Sequence, residues 1–113
     1  MKPEEFAEAL KVLGEPTRLK ILRLLMERPL YVCEISAVLG LSDPTVSVHL
    51  SRLKKFGFVE VKREGRKVLC ELGAPPSQLL PLFNNLLDYL KDKFPEEVGR
   101  MKEVKLKDVC PYK

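Results

Sequence analysis

Tryptophan is absent from this chain, histidine occurs once, and cysteine occurs three times in 113 residues. A single imidazole, His49, excludes a histidine-rich metal site within one chain. Cys33, Cys70 and Cys110 are odd in number and widely spaced, so they make no disulfide framework, and no Cys-x-x-Cys pair is present. The chain has no glycine-rich nucleotide loop and no histidine base near a cysteine in sequence, so a thiol reductase or other enzyme is not expected. No apolar run reaches the roughly eighteen residues of a membrane span. The start, Met1-Lys2-Pro3-Glu4-Glu5, lacks a basic-then-apolar signal pattern, so a cytoplasmic location is expected.

What is present suffices for one folded domain, since 45% of the residues are hydrophobic and can offset the entropy of ordering the chain. The net charge of +4 is concentrated rather than spread. Between Ser42 and Lys67 lie Arg52, Lys54, Lys55, Lys62, Arg63, Arg66 and Lys67 against only Asp43, Glu60 and Glu64, and charges elsewhere balance. One segment thus carries the whole excess, as a nucleic-acid footprint does, although on charge alone a solvated basic surface explains it equally well.

Pro3 suits a first helical turn, with Glu4 and Glu5 at its positive end, and Phe6, Leu10 and Leu13 recur at helical spacing up to Gly14. A second helix starts at Glu15-Pro16-Thr17, carries Leu19, Leu22, Leu25 and Met26 on one side, and stops at Arg28-Pro29. Val32, Ile35, Val38 and Leu39 give a third apolar stripe, closed by Gly40. Ser42 or Asp43 caps the next helix, Pro44 sits in its first turn, and Val46, Leu50 and Leu53 face inward. Two short helices joined at Gly40-Leu41-Ser42 make a helix-turn-helix pattern. After Gly57 the period changes to two: Phe58–Lys62 and Lys67–Leu72 read as strands joined through Arg63–Arg66, a hairpin with a basic tip. A Gly73–Ser77 linker follows, then a helical stripe of Leu79, Phe83, Leu86, Leu87 and Leu90, a break at Phe94-Pro95, and a charged tail to Cys110-Pro111.

A helix that reads the major groove must present polar side chains opposite its buried stripe. Here that face holds Thr45, Val48, His49 and Arg52, with Thr45 and Arg52 suited to base edges and Val48 to a thymine methyl. Ser42, Ser47 and Ser51 flank it and suit phosphates, while Lys62, Arg63, Arg66 and Lys67 of the hairpin suit the backbone or minor groove. Each of these residues alone reads as ordinary solvated surface; their order along the chain carries the argument.

The run Leu10-Lys11-Val12-Leu13-Gly14-Glu15-Pro16-Thr17-Arg18-Leu19-Lys20-Ile21-Leu22 resembles the opening signature of the ArsR/SmtB family of repressors. Val32-Cys33-Glu34-Ile35 and Leu41-Ser42-Asp43-Pro44-Thr45-Val46-Ser47-Val48-His49-Leu50 are similar to its sensor and recognition helices. Gly57-Phe58-Val59 and Gly65-Arg66-Lys67-Val68 are similar to its wing, so the likeness runs from about Leu10 to Leu72. The resemblance implies a homodimer on double-stranded operator DNA, released by an inducer, with Phe6, Leu10, Phe83, Leu86 and Leu90 in the dimer interface. It implies no required cofactor and no membrane partner.

Measured against the family's sensor sites, the chain departs from both known types. The zinc-type site on the last helix finds Asp88 but no histidine, and His49 belongs to the DNA side. The arsenic-type cysteine cluster on the sensor helix retains only Cys33, with Tyr31 and Ser36 nearby in place of further cysteines. Cys33 paired with Cys110, from the same chain or its partner, leaves two readings: a two-sulfur site for arsenite or another soft metal ion as inducer, or a redox switch. Both cysteines as structural groups in a constitutive DNA-binding or protein-binding module is the third. Cys70, on a strand between Leu69 and Glu71, is expected as core or surface filler. The expected fold is mainly α with a small β-hairpin, a winged helix-turn-helix dimerising through terminal helices. Residues 1–92 form the DNA-binding and dimerisation domain, and 93–113 a charged C-terminal extension carrying Cys110.

Overall fold

The computed structural model describes residues 1–110, without the side chain of Lys107, so Pro111 of the expected tail lies outside the described residues. Helix α1 (Pro3–Leu13) opens with proline and two glutamates in its first turn and ends where the Gly14 amide donates to the Leu10 carbonyl. Helix α2 (Pro16–Glu27) is capped by the Glu15 carboxylate, which accepts from the Arg18 amide at 2.9 Å. Strand β1 (Leu30–Tyr31) leads straight into α3 (Val32–Leu39), whose start is fixed by the Tyr31 amide donating to Glu34 Oε1 at 2.9 Å. Gly40 ends α3 at φ 68°, a left-handed position that glycine occupies without steric cost.

Helix α4 (Asp43–Lys55) begins three residues later, with Ser42 Oγ accepting from the Thr45 amide. Strands β2 (Val59–Glu64) and β3 (Lys67–Leu72) pair antiparallel with Glu64 opposite Lys67, so the turn is Gly65-Arg66 alone. This is tighter than the four-residue connection the sequence suggests, and it is possible because Gly65 takes φ 62°. The sheet order is β1-β3-β2, with Cys70 between Leu30 and Val61. Strand β1 has no counterpart in the sequence reading: two residues are too few to show a period.

After the linker come α5 (Leu80–Leu90), α6 (Pro95–Glu103) and α7 (Leu106–Val109). Phe94, at φ 56°, makes the corner between α5 and α6. The expected charged tail is therefore folded as far as Cys110. α6 packs on α2 and α3, and its Val98 and Met101 are buried in the common core. Around them, polar contacts fix the docking: Arg100 Nε donates to the Val38 carbonyl at 3.0 Å, Arg23 Nε to the Lys93 carbonyl at 3.2 Å, and Lys20 pairs with Glu97 at 3.1 Å.

The core centres on α2. Ile21, Leu22, Arg23, Leu24 and Leu25 are all buried, while Leu19 and Met26 are half-buried, so α2 is enclosed rather than one-sided as the sequence suggests. Phe58 and Phe83 meet beneath it with ring centroids 5.1 Å apart. Because α6 belongs to this core, Met101→Ala should lower stability by about 2–5 kcal/mol in urea unfolding under fixed redox conditions. A mobile tail would show no change.

Candidate nucleic-acid interface and thiol pair

Helix α4 is held by one side. Val46, Leu50 and Leu53 are 0%, 3% and 0% exposed, whereas Thr45, Ser47, Ser51 and Arg52 are exposed and Val48 is 53% exposed. An apolar side chain standing in solvent on such a helix has nothing to cover within its own chain. The Ser42 hydroxyl is occupied by the cap and by Thr45 Oγ1 at 2.9 Å.

His49 does not share this free face as the sequence suggests. It is half-buried, its Nδ1 lies 3.1 Å from Arg18 Nη1 and 3.8 Å from Glu15 Oε2, and Arg18 Nε donates to the Val12 carbonyl at 2.6 Å. The imidazole is thus a strut between α4 and the α1–α2 corner, and Arg18 is a functional candidate that sequence reasoning passed over. Burial works to raise the Glu15 carboxyl, but the Arg18 and Thr17 amides and the charges of His49 and Arg18 outweigh it and hold the group below its ordinary value.

Beside α4 stands the hairpin. Lys62, Arg63 and Arg66 are exposed, and the half-buried Lys67 lies with its ammonium 4.7 Å from the centre of the Tyr31 ring. The Tyr31 hydroxyl donates to Glu64, so one aromatic residue at the start of α3 ties down both flanks of the hairpin turn. Between α4 and the hairpin runs a cleft of about 140 Å³, with Ser47, Ser51 and Lys54 on one wall and Val61 and Val68 on the other. No helix among the described residues is long and apolar enough to cross a membrane.

Cys33 and Cys110 are bonded within one chain, with Cα atoms 5.4 Å apart across a sequence separation of 77 residues. The bond fastens the end of α7 to the first turn of α3, and both residues are buried. One turn further along α3, Ser36 Oγ is buried with no hydrogen-bond partner among the described residues. Glu34 is occupied by Arg28, at 3.1 Å, and by the Tyr31 amide. Among the described residues no three His, Cys, Asp or Glu side chains cluster as metal ligands.

Of the residues expected at a dimer interface, Leu10 is exposed and Phe6 and Leu86 are half-buried, but Phe83 and Leu90 are 2% and 0% exposed within the single chain. Those two are spent on the chain's own core, because the wide stripe of α5 serves α2 as well as an outer face, where Leu80 and Tyr89 stand exposed.

A short helix, a tight turn, a one-sided second helix and a basic hairpin packed beside it define a winged helix-turn-helix. The chain belongs to the arsR family of regulatory proteins, DNA-binding regulators of transcription: the model described as bacterial regulatory protein, arsR family, matches residues 15–61. An uncharacterized HTH-type transcriptional regulator of Methanocaldococcus jannaschii is 48% identical over 65 residues, covering 57% of this chain and 73% of that one. The arsenical resistance operon repressor of Staphylococcus xylosus is 32% identical over 90 residues, covering 80% and 84%. Among solved structures, the homodimeric winged helix-turn-helix DNA-binding domain from Mycobacterium bovis superposes with TM-score 0.63 at 29% identity, covering 76% of this chain and 78% of that one.

Cys70 stands apart from this chemistry. Burial in the sheet pushes its thiol from the ordinary 9.0 up to about 12. With the other two cysteines bonded, iodoacetamide should leave the folded chain unmodified at neutral pH and label Cys70 only on unfolding. Stability should fall as pH rises above about 9, because the unfolded chain releases that proton while the folded chain keeps it. Rapid native labelling of Cys70 would contradict its burial.

Proposed function

We propose that this protein is a homodimeric transcriptional repressor that grips operator DNA with α4 and the hairpin and is released when Cys33 and Cys110 become linked. The observation that carries the sensor is their apposition on either side of the α3–α7 contact. α7 is a four-residue helix, far too short to persist alone, so reduction, which removes the covalent tie, weakens its hold on α3. α3 passes into α4 through three residues, 40–42, so a change at its first turn is transmitted to the reading helix. Linking requires a two-electron oxidant of the peroxide or disulfide class: two thiols lose two protons and two electrons and one sulfur–sulfur bond forms. Arsenite is a second reading, favoured by the similarity to an arsenical repressor, and it would bridge the same two sulfurs in the reduced chain.

On the DNA side, Thr45, Val48 and Arg52 would meet base edges, and Ser47, Ser51, Lys62, Arg63, Arg66 and Lys67 phosphates. Phe6, Leu10 and Leu86, with the exposed Tyr89, would meet a second copy; the homodimeric relative supports that assembly. A repressor needs no catalytic group and no resident cofactor.

Operator binding by fluorescence anisotropy tests the switch on a duplex from the protein's own promoter. The reduced protein should bind about 5- to 150-fold more tightly than the linked one, the range of typical coupling energies. Doubly substituted Cys33→Ser/Cys110→Ser protein should bind like the reduced form and ignore diamide and arsenite. Equal affinity of the two redox forms would defeat the sensor and leave DNA binding standing. Separately, Arg52→Ala should cost about 1–3 kcal/mol on the operator and relax sequence preference. Arg66→Ala should instead weaken all duplexes and flatten the salt dependence. If both variants bind as wild type, the groove assignment is wrong.

A further inference from the structure

A second hollow of about 140 Å³ adjoins the α4–hairpin cleft and reaches Cys33 of the bonded pair. Its lining includes Cys33, Asp43 and Ser47 at the starts of α3 and α4, and Arg66 and Lys67 at the hairpin turn. Of the two linked cysteines it is Cys33 that lines this hollow; Cys33 and Cys110 are 7% and 5% exposed. The rim carries two cations against one carboxylate, Asp43, and Lys67 is held in place by the Tyr31 ring. One member of the bonded pair thus stands on the wall of a cation-flanked hollow.

We propose that this hollow is the approach path for an anionic low-molecular-mass thiol, one bearing a carboxylate or sulfonate, which reduces the Cys33–Cys110 bond. The inference rests on the pair being reversible, and it names the reductant of that same site. The thiolate attacks Cys33 Sγ. A bond forms between the two sulfurs while the Cys33–Cys110 bond breaks, and its electron pair leaves on Cys110 Sγ, which takes up a proton. A second thiolate attacks the incoming sulfur of the mixed disulfide, freeing Cys33 as thiolate and releasing the oxidised small molecule. Two thiols are oxidised to one disulfide and the protein gains two electrons. Arg66 and Lys67 draw in the anion and raise its local concentration at the sulfur. The same rim residues, Ser47, Arg66 and Lys67, fall within the proposed DNA footprint, so a bound duplex closes the path and only released protein is open to resetting.

The test uses the full oxidised chain at about 0.15 M ionic strength, where the Debye length is about 8 Å, and compares 2-mercaptoethanesulfonate with the cationic thiol cysteamine, each rate being normalised to its thiolate concentration. Replacing both rim cations, Arg66→Glu with Lys67→Glu, should lower the anionic-to-cationic rate ratio by about 10-fold or more. Exchanging the equally charged pair on β2, Lys62→Glu with Arg63→Glu, should lower it by less than about 2-fold, since those residues do not line the hollow and solvent screens them. Acid-quenched intermediates mapped by mass spectrometry should carry the small thiol on Cys33. Equal ratios in the two double variants, or a mixed disulfide on Cys110, would overturn the proposal. Neither result depends on whether the redox forms differ in operator affinity, so failure here and failure of the sensor reading are separate outcomes.

Discussion

The arrangement depends on the clamping of α4 through Val46, Leu50 and Leu53. Those three side chains are removed from water almost completely, at a gain of roughly 1.5–3 kcal/mol each. Their burial fixes not only that the helix is present but how it is rotated, and rotation decides that Thr45, Val48 and Arg52 face outward together. The Ser42 cap and the left-handed Gly40 set where the helix starts, and the Arg18–His49 contact holds its middle against α2. A reading helix needs this rigidity because its contacts with base edges tolerate little misplacement.

In the proposed mechanism the C-terminal third extends the same logic to regulation. Through Val98, Met101 and the Arg100 contact with the Val38 carbonyl, α6 supports the far end of α3, while α7 and the Cys33–Cys110 bond support its near end. One eight-residue helix is thereby gripped at both ends by the segment that follows the wing. The grip at one end is redox-labile chemistry and at the other ordinary packing. In the proposed mechanism, that asymmetry turns a local sulfur event into a displacement of the adjoining α4.

Much of this was legible in the sequence, for identifiable reasons. The helix-turn-helix and the hairpin carry strong local signals: a serine–proline start, spacings of three and four, a glycine stop, and alternation after Gly57. The long-range features were not legible. His49 sits 31 residues from Arg18, and nothing local marks it as a strut rather than a free side chain. α6 has only Val98 and Met101 as buried residues among many charges, so it reads as a solvated tail until α2 and α3 are there to receive it. The stripe of α5 shows that Phe83 and Leu90 are buried somewhere, but periodicity does not divide a wide stripe between the chain's own core and an outer face. The pairing of Cys33 with Cys110 was already suggested by the sequence and is found within one chain, whereas the route by which they meet, α6 folding back on α2 and α3, was not legible.

Amide hydrogen exchange on the reduced protein, with and without its promoter duplex, addresses the central claim most directly. The account predicts added protection concentrated on residues 45–52 and 62–67, with the outer face of α5 unchanged by the duplex. Protection confined to other elements, or none at a duplex concentration that saturates binding, would contradict it.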